Sequence, residues 1–193
     1  MQNADAFARI SSELRTTADF LGKIASDLVI LSSGPTAGIG EIVPPAVQAG
    51  SMPDKINPVL PMMMQQVAFA VTGNDLAVSM AVLQGQLEIN HFEPVTASRL
   101  FDSLDLLTNG TRLFTERCID GLAADRETSL RNLMESSALA TVFVPKHGYD
   151  ALVKEGLRAR RPFSALAIES GLLTEGDVVA SLYRSAGAPA PSE

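Results

Sequence analysis

The sequence predicts an all-α protein in which long helices form part of a multi-subunit central bundle, followed by a small C-terminal helical domain. Three observations predict this class. The first is composition: 46% of the 193 residues are hydrophobic, but only 5% are aromatic and tryptophan is absent. Aliphatic residues suit packed helices better than a β-sandwich, whose strands recruit aromatic and β-branched side chains. The others are a helical apolar period over long segments and a heptad spacing in mid-chain.

Residues 4–32 predict the first long helix, because apolar side chains recur every three or four positions and share one face. The residues "SSGPTAG" at 32–38 end this helix with turn formers. Residues 34–58 are rich in Gly and Pro and show no sustained period, so they predict a long loop, and such loops are usually functional. The predicted apolar face consists of Phe7, Ile10, Leu14, Ala18, Leu21, Ala25, Leu28 and Leu31.

Two more long helices follow. The first is predicted from Val59 to about His91, and Pro94 breaks the pattern within "NHFEPV". Helices of about 25–33 residues are roughly 40–50 Å long and cannot bury their apolar faces within one short chain. We therefore expect an oligomer. The next helix carries a predicted heptad seam of Leu100, Leu104, Leu107, Thr111, Phe114 and Cys118.

The composition changes after Gly121, where shorter helical segments replace the long ones. Thr174 and Asp177 form a capping-box pattern at the start of the last segment. We expect a central bundle domain over 1–120, a small helical domain over 121–185 and a flexible tail over 186–193. The short helices are predicted over about 126–143, 149–159, 163–170 and 175–185.

The net charge of −7 argues against an electrostatic nucleic-acid or membrane-surface binder. A single cysteine, Cys118, rules out an internal disulfide, and its place on an apolar stripe predicts a buried thiol. His91 and His147 lack ligand-spaced partners, so neither a metal nor another cofactor is expected. No signal peptide or apolar run of bilayer length is evident, so the expected location is cytoplasmic.

Four motifs occur in a characteristic order: "ILSSGPTAGIGEI", "QAGSMPDKINPV", "GND" with "GQLEINHFEPV", and "GYD" with "GLLTEGD". In this order they resemble the C-terminal half of the aspartase/fumarase superfamily, lyases that eliminate ammonia or water from a dicarboxylate. Residues 34–58, which we call the signature loop, contain a version of the superfamily pattern Gly-Ser-Ser-x-Met-Pro-x-Lys-x-Asn-Pro. The segments "SSGPTAG" and "GQLEIN" are more similar to the aspartase branch.

The resemblance implies a site. Ser51, as its oxyanion, would remove the proton next to a substrate carboxylate, while Lys55 and Asn57 would hold that carboxylate. Gly50 and Met52 would complete the substrate-binding segment. The residue types fit this chemistry, because proton abstraction beside a carboxylate builds a second negative charge that needs donors aimed at it beforehand.

This chain departs from the family pattern at three points. The signature loop is about two residues shorter, so an alignment without a gap puts Ala49 rather than Ser51 at the position of the base. Met62 stands where relatives carry a glutamate that supports a catalytic histidine. The other two active-site segments of the family belong to an N-terminal half that this sequence lacks.

Two functions follow from the resemblance. In the first, the chain is an aspartase-like lyase subunit that forms fumarate or an analogue, with a partner chain supplying the N-terminal half in a tetramer-like assembly. In the second, it is a catalytically inactive scaffold or carboxylate-binding relative. A fragment whose other half lies elsewhere would look identical to the first.

Overall fold

The computed structural model describes residues 3–46, 57–136 and 161–169, and positions 171, 174, 176, 177 and 180. The chain divides into two compact units, one ending at Asp125 and one beginning at Arg126. The described residues are mostly helical, and the predicted all-α class is confirmed. The first unit contains α1 (Asp5–Leu31), β1 (Ile42–Val43), α2 (Val59–Leu83), α3 (Glu93–Arg117), a 3₁₀ turn (Ile119–Gly121) and β2 (Ala123–Ala124), and the second contains α4 (Arg126–Glu135) and α5 (Phe163–Glu169).

The inward face of α1 is built from small residues. Its most buried positions repeat every seven residues, and three leucines that also repeat every seven flank them, partly buried against the core. Small side chains let a neighbouring helix approach closely: a Cβ added at Gly22 would lie only 3.1 Å from the Cβ of Ala68 on α2. The buried set is Ala4, Ser11, Ala18 and Ala25, and the flanking set is Leu14, Leu21 and Leu28.

The sequence placed Phe7 and Ile10 on one apolar face with these residues, but within this chain they do not belong to the buried stripe. Both side chains are about half exposed, because the buried stripe follows the small residues rather than the largest apolar ones. The predicted extent of the helix, residues 4–32, agrees closely with the observed Asp5–Leu31.

Helix α2 lies at the centre of the first unit, since it packs extensively against both α1 and α3, whereas α1 and α3 barely touch. Its buried side chains are aliphatic and provide most of the core together with Ala18, Ala25, Leu107 and Phe114. These buried residues are Leu60, Pro61, Met64, Val67, Ala68, Val71, Val78 and Ala81.

By length and composition alone α2 could also span a bilayer, contrary to the expectation from the sequence. Its packing favours a different interpretation. One face is buried by two neighbouring helices, and Asp75, its single charged residue, is hydrogen-bonded to α1. A central helix of a bundle needs this apolar composition, so the finding is weak evidence for a membrane span.

Helix α2 ends at Leu83, well before the predicted end near His91. A tight turn follows, in which Gln86 and Ile89 exchange backbone hydrogen bonds and Leu87 adopts a left-handed conformation with φ of 56°. Buried Asn90 stabilises the connection: its Nδ2 donates to the Ala81 carbonyl at 3.1 Å, and its Oδ1 accepts from the Phe92 amide at 2.8 Å. This side chain therefore links the end of α2 to the start of α3.

Within this chain, the predicted heptad seam of α3 is buried at some of its positions and not at others. Leu100, Leu107 and Phe114 are buried as predicted, and so is Cys118 just beyond the helix. Leu104, however, is exposed and Thr111 is only half-buried. The alternate seam positions are instead the small residues Thr96, Ser103 and Gly110.

The reason is again close packing between helices. A Cβ added at Gly110 would lie 3.2 Å from Cγ2 of Val67 on α2, so the buried seam uses the residues that leave room for α2.

Two adjacent polar residues on α2, Asn74 and Asp75, connect the three long helices. Asp75 accepts hydrogen bonds from Ser11 Oγ at 2.6 Å and Arg15 Nε at 2.9 Å, both on α1. Asn74 donates to Ser103 Oγ on α3 at 3.1 Å. We call this group the polar belt. It satisfies buried polar groups and fixes the registers of α1 and α3 on α2.

In the second unit, Ser164 Oγ on α5 donates to the Met134 carbonyl on α4, and Leu166 and Ala167 are buried. The predicted capping box is confirmed: the Asp177 amide donates to Thr174 Oγ1 at 3.1 Å, and the Thr174 amide donates to Asp177 Oδ2 at 3.0 Å.

The predicted extents of the short helices met with mixed results. Helix α4 ends at Glu135, so the predicted extension towards residue 143 is wrong at Ser136, where the backbone amide donates instead to the Leu133 carbonyl at 3.1 Å. Helix α5 agrees closely with the predicted 163–170. The helix predicted over 149–159 and the tail over 186–193 lie outside the described residues.

Replacing Asp75 with alanine removes the acceptor that joins α1 to α2, and Ser11 Oγ, which is buried, loses its partner. We expect the free energy of unfolding to fall by roughly 1–3 kcal/mol. Asp19→Ala is the matched control, because Asp19 pairs with the same Arg15 at an exposed site; we expect less than about 1 kcal/mol. Urea denaturation measures both, and equal losses would contradict the polar belt.

Candidate functional site

The first part of the signature loop is held tightly to the end of α1. The Glu41 amide donates to the Leu31 carbonyl at 2.9 Å, and the Ile39 amide donates to Ser33 Oγ at 3.1 Å. A Cβ added at Gly38 would lie 2.4 Å from the carbonyl carbon and oxygen of Ser33, a distance no real side chain tolerates. The sequence "SSGPTAG" thus needs glycine at position 38, because two stretches of backbone meet there.

A short antiparallel pairing ties the next part of the loop to the segment after α3. Strand β1 pairs with β2, with Ile42 opposite Ala124, and the Asp125 amide donates to the Glu41 carbonyl at 2.9 Å. Close by, the Pro45 ring lies against Gly121, where an added Cβ would be 2.6 Å from the proline Cγ. The chain is therefore anchored immediately before residue 47.

The far end of the loop is fixed by the start of α2. The Asn57 carbonyl accepts a hydrogen bond from the Val59 amide at 2.8 Å, and the Asn57 residue is exposed. Both ends of the loop border one small hollow of about 10 Å³. It is lined by Pro44, Pro45, Asn57, Pro58, Val59, Leu60, Pro61, Arg117 and Cys118.

Of the predicted site residues, Asn57 is the one that the structure describes. It lines the hollow and is exposed. Gly50, Ser51, Met52 and Lys55 lie outside the described residues. Their roles stay predictions.

Arg117, which was not among the predicted site residues, lines the hollow together with Asn57. It lies in the last turn of α3, where a cation interacts favourably with the helix dipole. Among the described residues no carboxylate pairs with its exposed guanidinium. The two residues are far apart in sequence, and the packing of α2 against α3 brings the segments that carry them together.

Cys118 also borders the hollow but is only 2% exposed. Burial raises the pKa of its thiol, which keeps it protonated and unreactive near neutral pH. The prediction of a buried structural thiol is confirmed.

Met62 lies in the first turn of α2, where the family resemblance expects a glutamate. Its side chain is exposed, and its carbonyl accepts from Gln66 Nε2 at 3.3 Å. A thioether neither carries charge nor accepts a proton at neutral pH. This chain therefore supplies no carboxylate at that position.

A larger cavity, of about 590 Å³, lies between α2 and α3 and shares no lining residue with the hollow. Its cationic residue, Arg99, is already paired with Asp102 at 2.9 Å and donates to Asn74 Oδ1 at 3.4 Å. Asp102 and Asp105 make the rim acidic, which disfavours a dicarboxylate. Among the described residues no group of three or more His, Cys, Asp or Glu is arranged to hold a metal ion.

Gly121→Ala should loosen the anchored end of the signature loop, because its new methyl group overlaps the Pro45 ring. We expect faster hydrogen exchange at the Asp125 amide, because its hydrogen bond to the Glu41 carbonyl holds the beginning of the loop against the segment after α3. Gly176→Ala is the control, since its nearest heavy atom, Thr174 Oγ1, would be 3.8 Å away. An unchanged exchange rate of the Asp125 amide in Gly121→Ala would show that the contact between Pro45 and Gly121 does not anchor the loop.

Comparison with known proteins agrees with this arrangement of helices and loop. A lyase family model matches residues 1–73. An aspartate ammonia-lyase from Bacillus sp. is 41% identical over 179 residues, which cover 90% of this chain and 38% of the relative. The chain thus spans well under half the length of the curated relatives it matches, and it corresponds to their C-terminal portion.

Solved structures give the same result. A fumarate lyase:delta crystallin protein from Brucella melitensis matches 93% of this chain with a TM-score of 0.82 and 42% identity, and this chain covers 41% of it. A class II fumarase from Schistosoma mansoni matches 90% of this chain with a TM-score of 0.81 and 35% identity, with 37% of that protein covered. Motifs, fold and relatives together place the chain in the aspartase/fumarase superfamily, on its aspartate ammonia-lyase-like side.

Proposed function

We propose that this chain is a subunit of an aspartase-like lyase that eliminates ammonia from a dicarboxylate to give fumarate or an analogue. The observation that carries the proposal is the 41% identity to an aspartate ammonia-lyase across 90% of this chain, a span that includes the signature loop. The positions of Pro45 and Asn57 also support the proposal, because both ends of the signature loop border one hollow. The residues between them would face the reacting carboxylate.

In the proposed reaction, the Ser51 oxyanion takes a proton from the carbon next to one substrate carboxylate. The electron pair of that C–H bond first spreads onto the carboxylate, which then carries a second negative charge. This electron pair then forms the carbon–carbon double bond, while the carbon–nitrogen bond breaks and ammonia leaves with the electrons of that bond. Lys55 and Asn57 would stabilise the intermediate, since donors aimed in advance at developing charge lower the barrier most.

Arg117 is a further candidate for carboxylate binding. Its guanidinium shares the hollow with Asn57 and has no carboxylate partner among the described residues. A planar guanidinium binds carboxylates in a bidentate manner and stays charged at any physiological pH. It would increase local affinity for a dianion without taking part in proton transfer.

The site would be completed by another polypeptide. This chain spans 38% of its aspartate ammonia-lyase relative, and the resemblance assigns two active-site segments to the N-terminal half. We propose a partner chain that carries this half, in a cytoplasmic, tetramer-like assembly. Neither nucleic acid nor membrane is a proposed partner, because the net charge of −7 opposes both.

A second function, carboxylate binding without turnover, is favoured by Met62. Met62 has no carboxylate with which to support the histidine expected from the partner. Asn57, Arg117 and Lys55 could still bind a dicarboxylate. In this alternative the chain is a scaffold or binding relative of the lyases.

The first test is complementation with the N-terminal portion of the Bacillus sp. relative. Once the two polypeptides co-elute, we expect aspartate to be converted to fumarate, followed by the ultraviolet absorbance of the product. The relative's own C-terminal portion is the positive control. A co-eluting complex that binds aspartate in calorimetry but forms no fumarate would contradict the lyase proposal and favour the binding alternative.

Within the active complex, Asn57→Ala should lower kcat by about 10²–10³, the usual effect of losing one donor to a developing oxyanion. Asn109→Ala is the matched control, because its amide lies in the other cavity and donates to the Asp105 carbonyl. Steady-state kinetics of both variants measure the difference. Equal activity of the two would exclude Asn57 from the site.

Met62→Glu supplies the carboxylate that the family pattern has at this position. If a histidine of the partner acts through it, kcat in the complex should rise, because the carboxylate stabilises the imidazolium that forms. Met62→Gln, similar in size and uncharged, should leave kcat unchanged. The stability of the fold should change little in either variant, since the side chain is exposed. Lower or equal kcat for Met62→Glu would argue against such a relay.

A further inference from the structure

The methionines that the structure describes differ sharply in exposure. Met62 is 41% and Met80 60% exposed, and both lie on α2. Met64, two residues after Met62, is fully buried, Met63 packs partly buried against the core, and Met134 in the second unit is half-buried. An oxidant in the solvent therefore reaches two thioethers of α2 before it reaches the others.

Met62 and Met80 lie on one line along α2. Eighteen residues separate them in the sequence. At 3.6 residues per turn this is about five full turns, so both side chains leave the helix in the same direction, about 27 Å apart. Phe69 and Leu76 lie between them and are exposed too. Since Asp75, the single charged residue of α2, is bonded to α1, the two thioethers stand near the ends of an uncharged apolar face.

Oxidation changes the chemistry of this face. A sulfur lone pair attacks one oxygen of a hydroperoxide and the O–O bond breaks. With hydrogen peroxide the other oxygen leaves as water, while the sulfur loses two electrons and becomes a sulfoxide. The sulfoxide is polar and its oxygen accepts hydrogen bonds. Such an acceptor loses its bond to water when it is covered by an apolar surface, so covering the oxidised face is unfavourable.

We propose that Met62 and Met80 are paired oxidation sites through which a hydroperoxide controls the assembly of this chain. In the thioether form the exposed face of α2 is apolar and is covered by other chains. In the sulfoxide form covering it would bury two acceptors, so the chain stays free. The inference rests on the proposed assembly but not on lyase turnover.

The modification is reversible and selective for the free chain. Methionine sulfoxide reductases restore the thioether. In the overall reaction two thiols form a disulfide and the sulfoxide oxygen leaves as water. In the assembled chain both thioethers are covered, so a hydroperoxide reaches them more slowly than in the free chain. Oxidation would therefore hold back chains that have not yet assembled, until they are reduced.

Sedimentation velocity of the purified chain at micromolar concentration, before and after treatment with hydrogen peroxide, tests the proposal. We expect the untreated chain to be an oligomer and the treated chain a monomer whose helical circular dichroism is retained. Peptide mass spectrometry should find Met62 and Met80 oxidised before Met63, and Met64 last. Treatment with the two reductases that act on the two sulfoxide epimers, with dithiothreitol, should restore the oligomer.

Matched variants separate these two methionines from other oxidisable groups. The double variant Met62→Leu/Met80→Leu keeps the face apolar but forms no sulfoxide there, so it should stay oligomeric after peroxide treatment although Cys118 is unchanged. Met80→Gln replaces the thioether with a neutral polar side chain. Without any oxidant it should raise the dissociation constant of the oligomer by roughly 10–100-fold, the usual effect of burying an acceptor without a donor. Met80→Leu is its control and should leave that constant unchanged.

Three results would overturn the proposal. An oligomer that persists after both methionines are oxidised would show that the sulfoxides do not control assembly. Dissociation of the double leucine variant by peroxide would assign the effect to another residue. A monomeric untreated chain would contradict the assembly together with this inference. Fumarate formation in the complementation assay is measured separately, so failure of the lyase proposal is distinguishable from each of these results.

Discussion

Asn74 and Asp75, adjacent residues near the middle of α2, hold the three long helices in one relative register. Asp75 bonds to two residues of α1, and Asn74 bonds to Ser103 on α3. Small residues at the helix contacts would otherwise permit sliding, since alanine and glycine seams offer few large side chains to interlock. The polar belt removes this freedom, because a shift by one turn would leave buried polar groups without partners.

The geometry of the candidate site depends on the relative register of these helices. Asn57 lies one turn before the start of the α2 core, and Arg117 lies in the last turn of α3, so their separation depends on how α2 and α3 are aligned. The pairing of β1 with β2 then brings the beginning of the signature loop to the same hollow. A site divided between distant segments can keep its geometry only if the helices that carry it cannot slide.

The sequence predicted elements better than it predicted faces. Helical periodicity located α1 within a residue at each end, because apolar spacing alone determines that a helix forms. Which side is buried depends on the neighbour: within this chain Phe7 and Leu104 are exposed, since close approach selects Ala18, Ser103 and Gly110 for the contact.

The early end of α2 was missed for a related reason. Apolar residues continue to Ile89, but Asn90 and the left-handed Leu87 turn the chain into α3. The motifs predicted Asn57, whereas Arg117 could be found only from the fold, since nothing in its local sequence marks it as a site residue.

The exposed apolar residues of α2 support the proposal that this chain assembles with other chains. Sedimentation equilibrium of the purified chain at micromolar concentration tests this most directly. The account predicts a mass that is a multiple of the 20.4 kDa chain mass. A stable monomer of 20.4 kDa, with its helices intact, would contradict it.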